Sequence, residues 1–239
     1  MNVRAAVLAG SLIILTLVFV YTGTASATWA NGDETTYNQN AWGTGGSANS
    51  ILIANAASVY SGSGGFLIGR PNPLFSALWT DLPTLSDYMP ATGSVGAFTA
   101  DYLNPTTTSA GVFGGNVAAL KLNVDFSDAG ILVGTSGIAF GDLVLENLSL
   151  TDLNSLTVRQ FLDIVNIAVG GGTTTDNIAA LDQITAQLNA SFFGGTPDQF
   201  AQDHLVAPTA AVPEPSSLLL LAVSVLGLEF RVRRLTQRR

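Results

Sequence analysis

Apolar residues recur three and four positions apart along Thr157–Val169. Val158, Phe161, Leu162, Val165 and Ala168 share one face at that spacing, which predicts an amphipathic helix. Gly170-Gly171-Gly172 supplies the stop. Asp176–Phe193 repeats the pattern with Ile178, Leu181, Ile184 and Leu188, and Gly194-Gly195 closes it. Thr175 or Asp176 stands where an N-cap is needed. The Thr/Gly link between the two is short enough for the pair to fold back on itself. Asn116–Ser127 carries two patterns at once. Leu120, Leu122, Val124 and Phe126 alternate with Lys121, Asn123, Asp125 and Ser127 as in a strand, while Phe113, Val117, Leu120 and Val124 fall at helical spacing. The propensity of Ala118-Ala119-Leu120-Lys121-Leu122 tips this stretch toward helix.

Earlier in the chain the pattern is shorter and more broken. Ile51–Tyr60, the turn Gly62-Ser63-Gly64-Gly65 and Phe66–Gly69 read as a hairpin. Thr28–Gly46 reads as loops with one short strand, Pro71–Pro90 as turns with short helical pieces, and Asn104–Gly115 as a loop. Asp142–Leu145 reads as a strand, and no internal repeat stands out. The expected fold is therefore α+β, with a β-rich N-terminal half and a C-terminal helical pair, spanning residues 28–211.

Both ends are apolar for reasons unconnected with a core. Ala5–Tyr21 is an apolar run behind Arg4, followed by Gly23 and by Ala25-Ser26-Ala27. Small residues at Ala25 and Ala27 suit signal peptidase, so residues 1–27 read as a cleaved signal peptide and the exported chain as starting at Thr28. The competing reading is a permanent N-terminal membrane helix. At the other end, Val212-Pro213-Glu214-Pro215 breaks regular structure. An apolar segment, 216–230, and a basic end, 231–239, follow. As a helix the apolar segment would be about 22 Å long, against a hydrocarbon core of about 30 Å. That is short for a permanent span, whether the tail is cleaved or stays as an anchor. The arginines would remain cytoplasmic.

Val212, Pro213, Glu214 and Pro215, then Leu218–Leu228, then Arg231, Arg233 and Arg234 together resemble the PEP-CTERM protein-sorting signal. Glu229 and the residues after Arg234 depart from the pattern. The resemblance covers residues 212–239 alone. It implies recognition by exosortase, a membrane transpeptidase, and membrane association through the tail before release or transfer to the cell surface. It also makes exopolysaccharide a candidate partner. Leu122-Asn123-Val124-Asp125-Phe126-Ser127, Leu156-Thr157-Val158 and Gly194-Gly195-Thr196 resemble uncharacterised regions of exported bacterial surface proteins, which brings no activity with it.

Charge narrows the function further. Between Thr28 and Ala211 only Arg70, Lys121 and Arg159 stand against fifteen acids. Such a surface repels nucleic acid, which needs phosphates neutralised by Lys and Arg. Cysteine is absent, which removes disulfides, thiolate metal sites and thiol nucleophiles. His204, the single histidine, reads as a solvated loop residue. Asp203 beside it could make a triad partner, but no GxSxG elbow accompanies them, and HExxH needs a second histidine. Asp33 with Glu34, Asp125 with Asp128, and Glu146 with Asp142 are possible acid–base pairs for a glycosidase. Asn123, Asp125, Ser127 and Asp128 offer oxygen ligands for calcium, although the EF-hand spacing fails. Trp29 and Trp42 could stack on sugar rings, or they and Trp79 could anchor a core. These readings lead to a structural or interaction protein of the surface or extracellular matrix, without cofactor and not an enzyme. The alternative is a secreted carbohydrate-binding module, and a hydrolase comes third.

Overall fold

The computed structural model describes residues 28–132 and 134–208. Ala25, Ala27, Val212, Pro213, Glu214, Pro215, Arg231, Arg233 and Arg234 lie outside the described residues, as do the leader and the tail to which they belong. Among the described residues no helix is long and apolar enough to cross a membrane.

Thr28–Asn38 is irregular and leads into the single turn α1 (Gln39–Trp42), where Asn38 Oδ1 caps the Ala41 N–H at 3.1 Å. The expected strand is reduced to one bridge, Thr36 to Phe193. Helix α2 (Asn49–Val59) replaces the first arm of the predicted hairpin. Leu52 and Ala56, one turn apart, are sealed in the core, whereas Ile53 faces outward at 49% exposure. That is a four-residue period, and it decides between helix and strand where a mostly apolar run cannot. Strand β1 (Phe66–Gly69) pairs instead with β2 (Ser76–Trp79), antiparallel, with Phe66 opposite Trp79. After α3 (Leu82–Tyr88), strand β3 (Tyr102–Leu103) joins β2 in parallel. The first half is thus mixed rather than β-rich.

Helix α4 (Val112–Asp128) begins inside the predicted loop and settles the ambiguous stretch as helix. It is buried on nearly all sides from Phe113 to Phe126, the pattern of a helix enclosed by its own protein. Gly114 and Gly115 let neighbours close in: a side chain there would collide with the Tyr88 hydroxyl and with Gln39 Oε1. Phe140–Asp142 is a 3₁₀ turn, so the expected strand shortens to β4 (Val144–Leu145).

Helix α5 (Val158–Val169) follows the prediction, with a reciprocal capping box between Thr157 and Gln160 and Gly170 at its end. Helix α6 (Ile178–Ala190) starts later and ends earlier than its apolar spacing predicts. Asn177, not Thr175 or Asp176, caps it, accepting from Ala180 N at 3.0 Å. The two helices touch each other, and both pack on α4. The chain then forms α7 (Gln199–His204) and β5 (Leu205–Val206), which pairs antiparallel with β4. The class is α+β, with seven helices and two small sheets among the described residues.

Trp29, Trp42 and Trp79 are core residues, at 6%, 0% and 0% exposure. Trp29 meets Phe192 edge to face at 5.3 Å, Trp42 meets Phe126 at 5.4 Å, and Trp79 lies against Tyr88 at 4.9 Å. None of the three has a free face for a sugar ring.

Candidate functional site

A polar seam runs through the interior along α4. Asn116 and Asn123 stand seven residues apart and so share one face of the helix. Asn123 Oδ1 accepts from Tyr37 N at 2.9 Å and from Trp42 Nε1 at 3.3 Å. Its Nδ2 donates to Tyr37 O at 2.8 Å and to Asn189 Oδ1 at 3.0 Å. Asn116 Oδ1 accepts from Gln39 Nε2 at 3.1 Å, and its Nδ2 donates to Asp182 at 2.8 Å. Burial raises the Asp182 carboxyl above its ordinary range, with the Asn116 bond acting against it. With its partners filled, the seam fastens Tyr37, α1 and α6 to α4.

The calcium reading fails on the same helix. Asn123 is committed as described, and Asp125 accepts from Tyr60 Oη at 2.8 Å and pairs with Lys121 at 2.8 Å. Ser127 Oγ takes the Phe140 N–H at 2.9 Å, and Asp128 pairs with Arg159 at 2.6 Å. A helix spreads these side chains around its axis instead of converging them. Gly130 follows the end of the helix in the left-handed region, at φ +70°.

Among the proposed acid–base pairs, Asp125, Asp128, Asp142 and Asp33 are engaged with other groups. Arg159 bridges Asp128 and Asp142, reaching the latter at 3.1 Å, and the two carboxylates hold its guanidinium firmly charged. Asp33 accepts from Ala30 N at 2.7 Å and Thr135 Oγ1 at 2.9 Å. Glu34 differs: it is 1% exposed, Ser136 Oγ donates to its Oε1, and Oε2 is buried without a partner among the described residues. Desolvation pushes its carboxyl up to about 7, against the opposing Ser136 hydrogen bond, with a smaller push from Asp33. Proximity in sequence to Asp33 announced none of this; the loop carrying Ser136 arrives from a hundred residues away.

His204 is not a loop residue. It ends α7, half-buried, with its ring against Phe200 at 4.9 Å. Its Nδ1 lies 3.0 Å from Glu146 O. A carbonyl only accepts, so Nδ1 carries the proton and Nε2 of the neutral ring is an acceptor. No hydrogen bond joins His204 to Asp203, whose carboxylate accepts from Gln199.

Among the described residues, three surface grooves of about 370 to 550 Å³ bear on function. Two adjoin along β1, of about 550 and 530 Å³, and share Leu67 and Lys121. Their charges are paired internally, Lys121 with Asp125 and Arg70 with Asp163 at 3.3 Å. The third, of about 370 Å³, lies between 147–150, α6 and α7 and has no carboxylate or cationic Lys or Arg in its lining. Asn147, Gln183 and Gln187 line it, and sequence reading passed over all three. A carboxamide in a bend and two on an exposed helix face share no spacing signature; only the packing of α7 and residues 147–150 beside α6 groups them.

The family profile of the PEP-CTERM protein-sorting motif matches residues 211–234. The match takes in Val212-Pro213-Glu214-Pro215 and Arg231, Arg233 and Arg234, and leaves out the last five residues of the predicted tail. The chain carries the signal of an exosortase substrate, an exported protein processed at the membrane. No curated protein and no solved structure matches the chain.

Proposed function

We propose that this protein serves outside the cell as a structural or interaction domain of the surface or extracellular matrix, delivered by signal peptidase and then exosortase, and that it is not an enzyme. The observation that carries the reading is the order of parts. A folded, acidic, cysteine-free domain comes first in the chain, and the sorting motif follows it at residues 211–234. Cleavage after Ala27 would spare the core, because Thr28 is exposed and the first buried residue it would leave in the chain is Trp29. Commitment of Asp125, Asp128, Asp142 and His204 to internal bonds favours a binding or structural role over hydrolysis. A tag in the domain, followed by fractionation in hosts with and without exosortase, tests the route. Identical size and location in both hosts overturns it.

A carbohydrate-binding module is the second reading. The tryptophans do not support it, being buried. The charge-free groove on α6 does.

A further inference from the structure

The groove between α6, α7 and residues 147–150 has a lining that selects a ligand class. Gln183 and Gln187 lie one helical turn apart on the exposed face of α6, and neither side chain has a hydrogen-bond partner among the described residues. Each offers a donor and an acceptor. Asn147 is fixed opposite them in the left-handed region at φ +57°, where its Nδ2 donates to Asp203 O at 3.2 Å. His204 Nδ1 is spent on Glu146 O, which leaves Nε2 as the ring atom that can meet a ligand. The floor is apolar and not quite sealed. Ile184 keeps 6% exposure, while Leu181 and Leu188 on the same helix keep none. Phe200 completes it at 8%.

Charge removes two ligand classes. An anionic ligand meets no Lys or Arg here and approaches a domain in which acids outnumber bases five to one. A cationic ligand meets no carboxylate in the lining. What remains is a neutral ligand with closely spaced groups that both donate and accept, and with an apolar side to set against Ile184 and Phe200. Vicinal hydroxyls on a sugar ring, with C–H groups on its face, have that character. The volume is within the range of small-molecule sites. We infer that this groove binds a residue of a neutral polysaccharide, with Gln183 and Gln187 addressing its hydroxyls. The inference deepens the carbohydrate-binding reading and rests on it.

The test uses the exported protein purified from its host, titrated calorimetrically with cellotetraose, maltotetraose and a neutral galactan tetrasaccharide. An alginate tetrasaccharide and a neutral Ser/Gly/Gln hexapeptide serve as comparisons. Binding of at least one neutral tetrasaccharide is expected, weakened tenfold or more in Gln183→Ala/Gln187→Ala. Alanine is the better helix former, so that exposed double variant keeps its fold. Three results overturn the inference: no neutral sugar bound at about 10 mM, binding indifferent to the double variant, or preference for the alginate or the peptide. Delivery by exosortase is read by fractionation, so a failed titration leaves the sorting result untouched, and a failed fractionation leaves the groove.

Discussion

The side chain of Asn123 pairs with the backbone of Tyr37 as a neighbouring strand would, donating to its carbonyl at 2.8 Å and accepting from its N–H at 2.9 Å. Gln202 does the same for Trp29, at 2.8 and 3.1 Å. Two carboxamides, one on α4 and one on α7, thereby supply the ladder bonds that the irregular N-terminal segment lacks.

Asn123→Leu keeps the approximate volume but strands both polar groups of Tyr37 and the indole N–H of Trp42. A buried unsatisfied group costs about 1–3 kcal/mol, and more than one is created. The expected loss is about 3 kcal/mol in urea denaturation at neutral pH. A loss under about 0.5 kcal/mol, the scale of surface substitutions, would show that water reaches these groups and that the seam does not fasten the segment.

Trp29 lies between the two ends of the domain. Its indole Nε1 donates to Leu205 O at 2.8 Å, and its ring meets Phe192. Trp29→Ala leaves a cavity and frees residues 28–36 from α7 and β5, with an expected cost of about 3–5 kcal/mol. Limited proteolysis should then cut first within residues 28–36. Unchanged cleavage kinetics would mean that other contacts suffice.

Glu34 makes stability depend on pH in the direction opposite to most carboxylates. Its carboxyl titrates near 7 when folded and near 4.5 when unfolded. Between those values the folded chain holds more protons than the unfolded one, so stability falls as pH rises from 4.5 to 7. The contribution is fully present below 4.5 and gone above about 7. Glu34→Gln cannot ionise, and its Tm should fall less across that interval than that of the unaltered protein. Parallel melting profiles for the two proteins would refute the assignment.

The tail should act through its motif and not through hydrophobicity alone. Pro213→Ala with Glu214→Ala should leave uncleaved protein in the inner membrane of an exosortase-bearing host. Replacing Arg231, Arg233 and Arg234 by Ala removes the charges that oppose passage across the membrane, and misprocessed or slipped chains should accumulate. Sequencing the mature N-terminus in the same material should give Thr28. Normal processing of both variants would make the tail an ordinary anchor.

Long-period information was legible in the sequence. Residues 157–169 and 178–190 bury a repeating face, so their spacing announces a helix whatever surrounds them, and the Pro-Glu-Pro, apolar and Arg order of the tail is read linearly by the same logic. The N-terminal half was misread because its segments are short. Ile51–Tyr60 is apolar at too many positions to show a period until α3 and α4 define which side is inside. The site residues were the least legible. Glu34 is an ordinary surface acid in sequence, and it is the packing of the loop around Ser136 that excludes water from it and raises its carboxyl. Gln183 and Gln187 became a groove only when α7 docked beside them. Sequence periodicity reports which face of an element is buried, but not what buries it, and the solvation of a side chain depends on that neighbour.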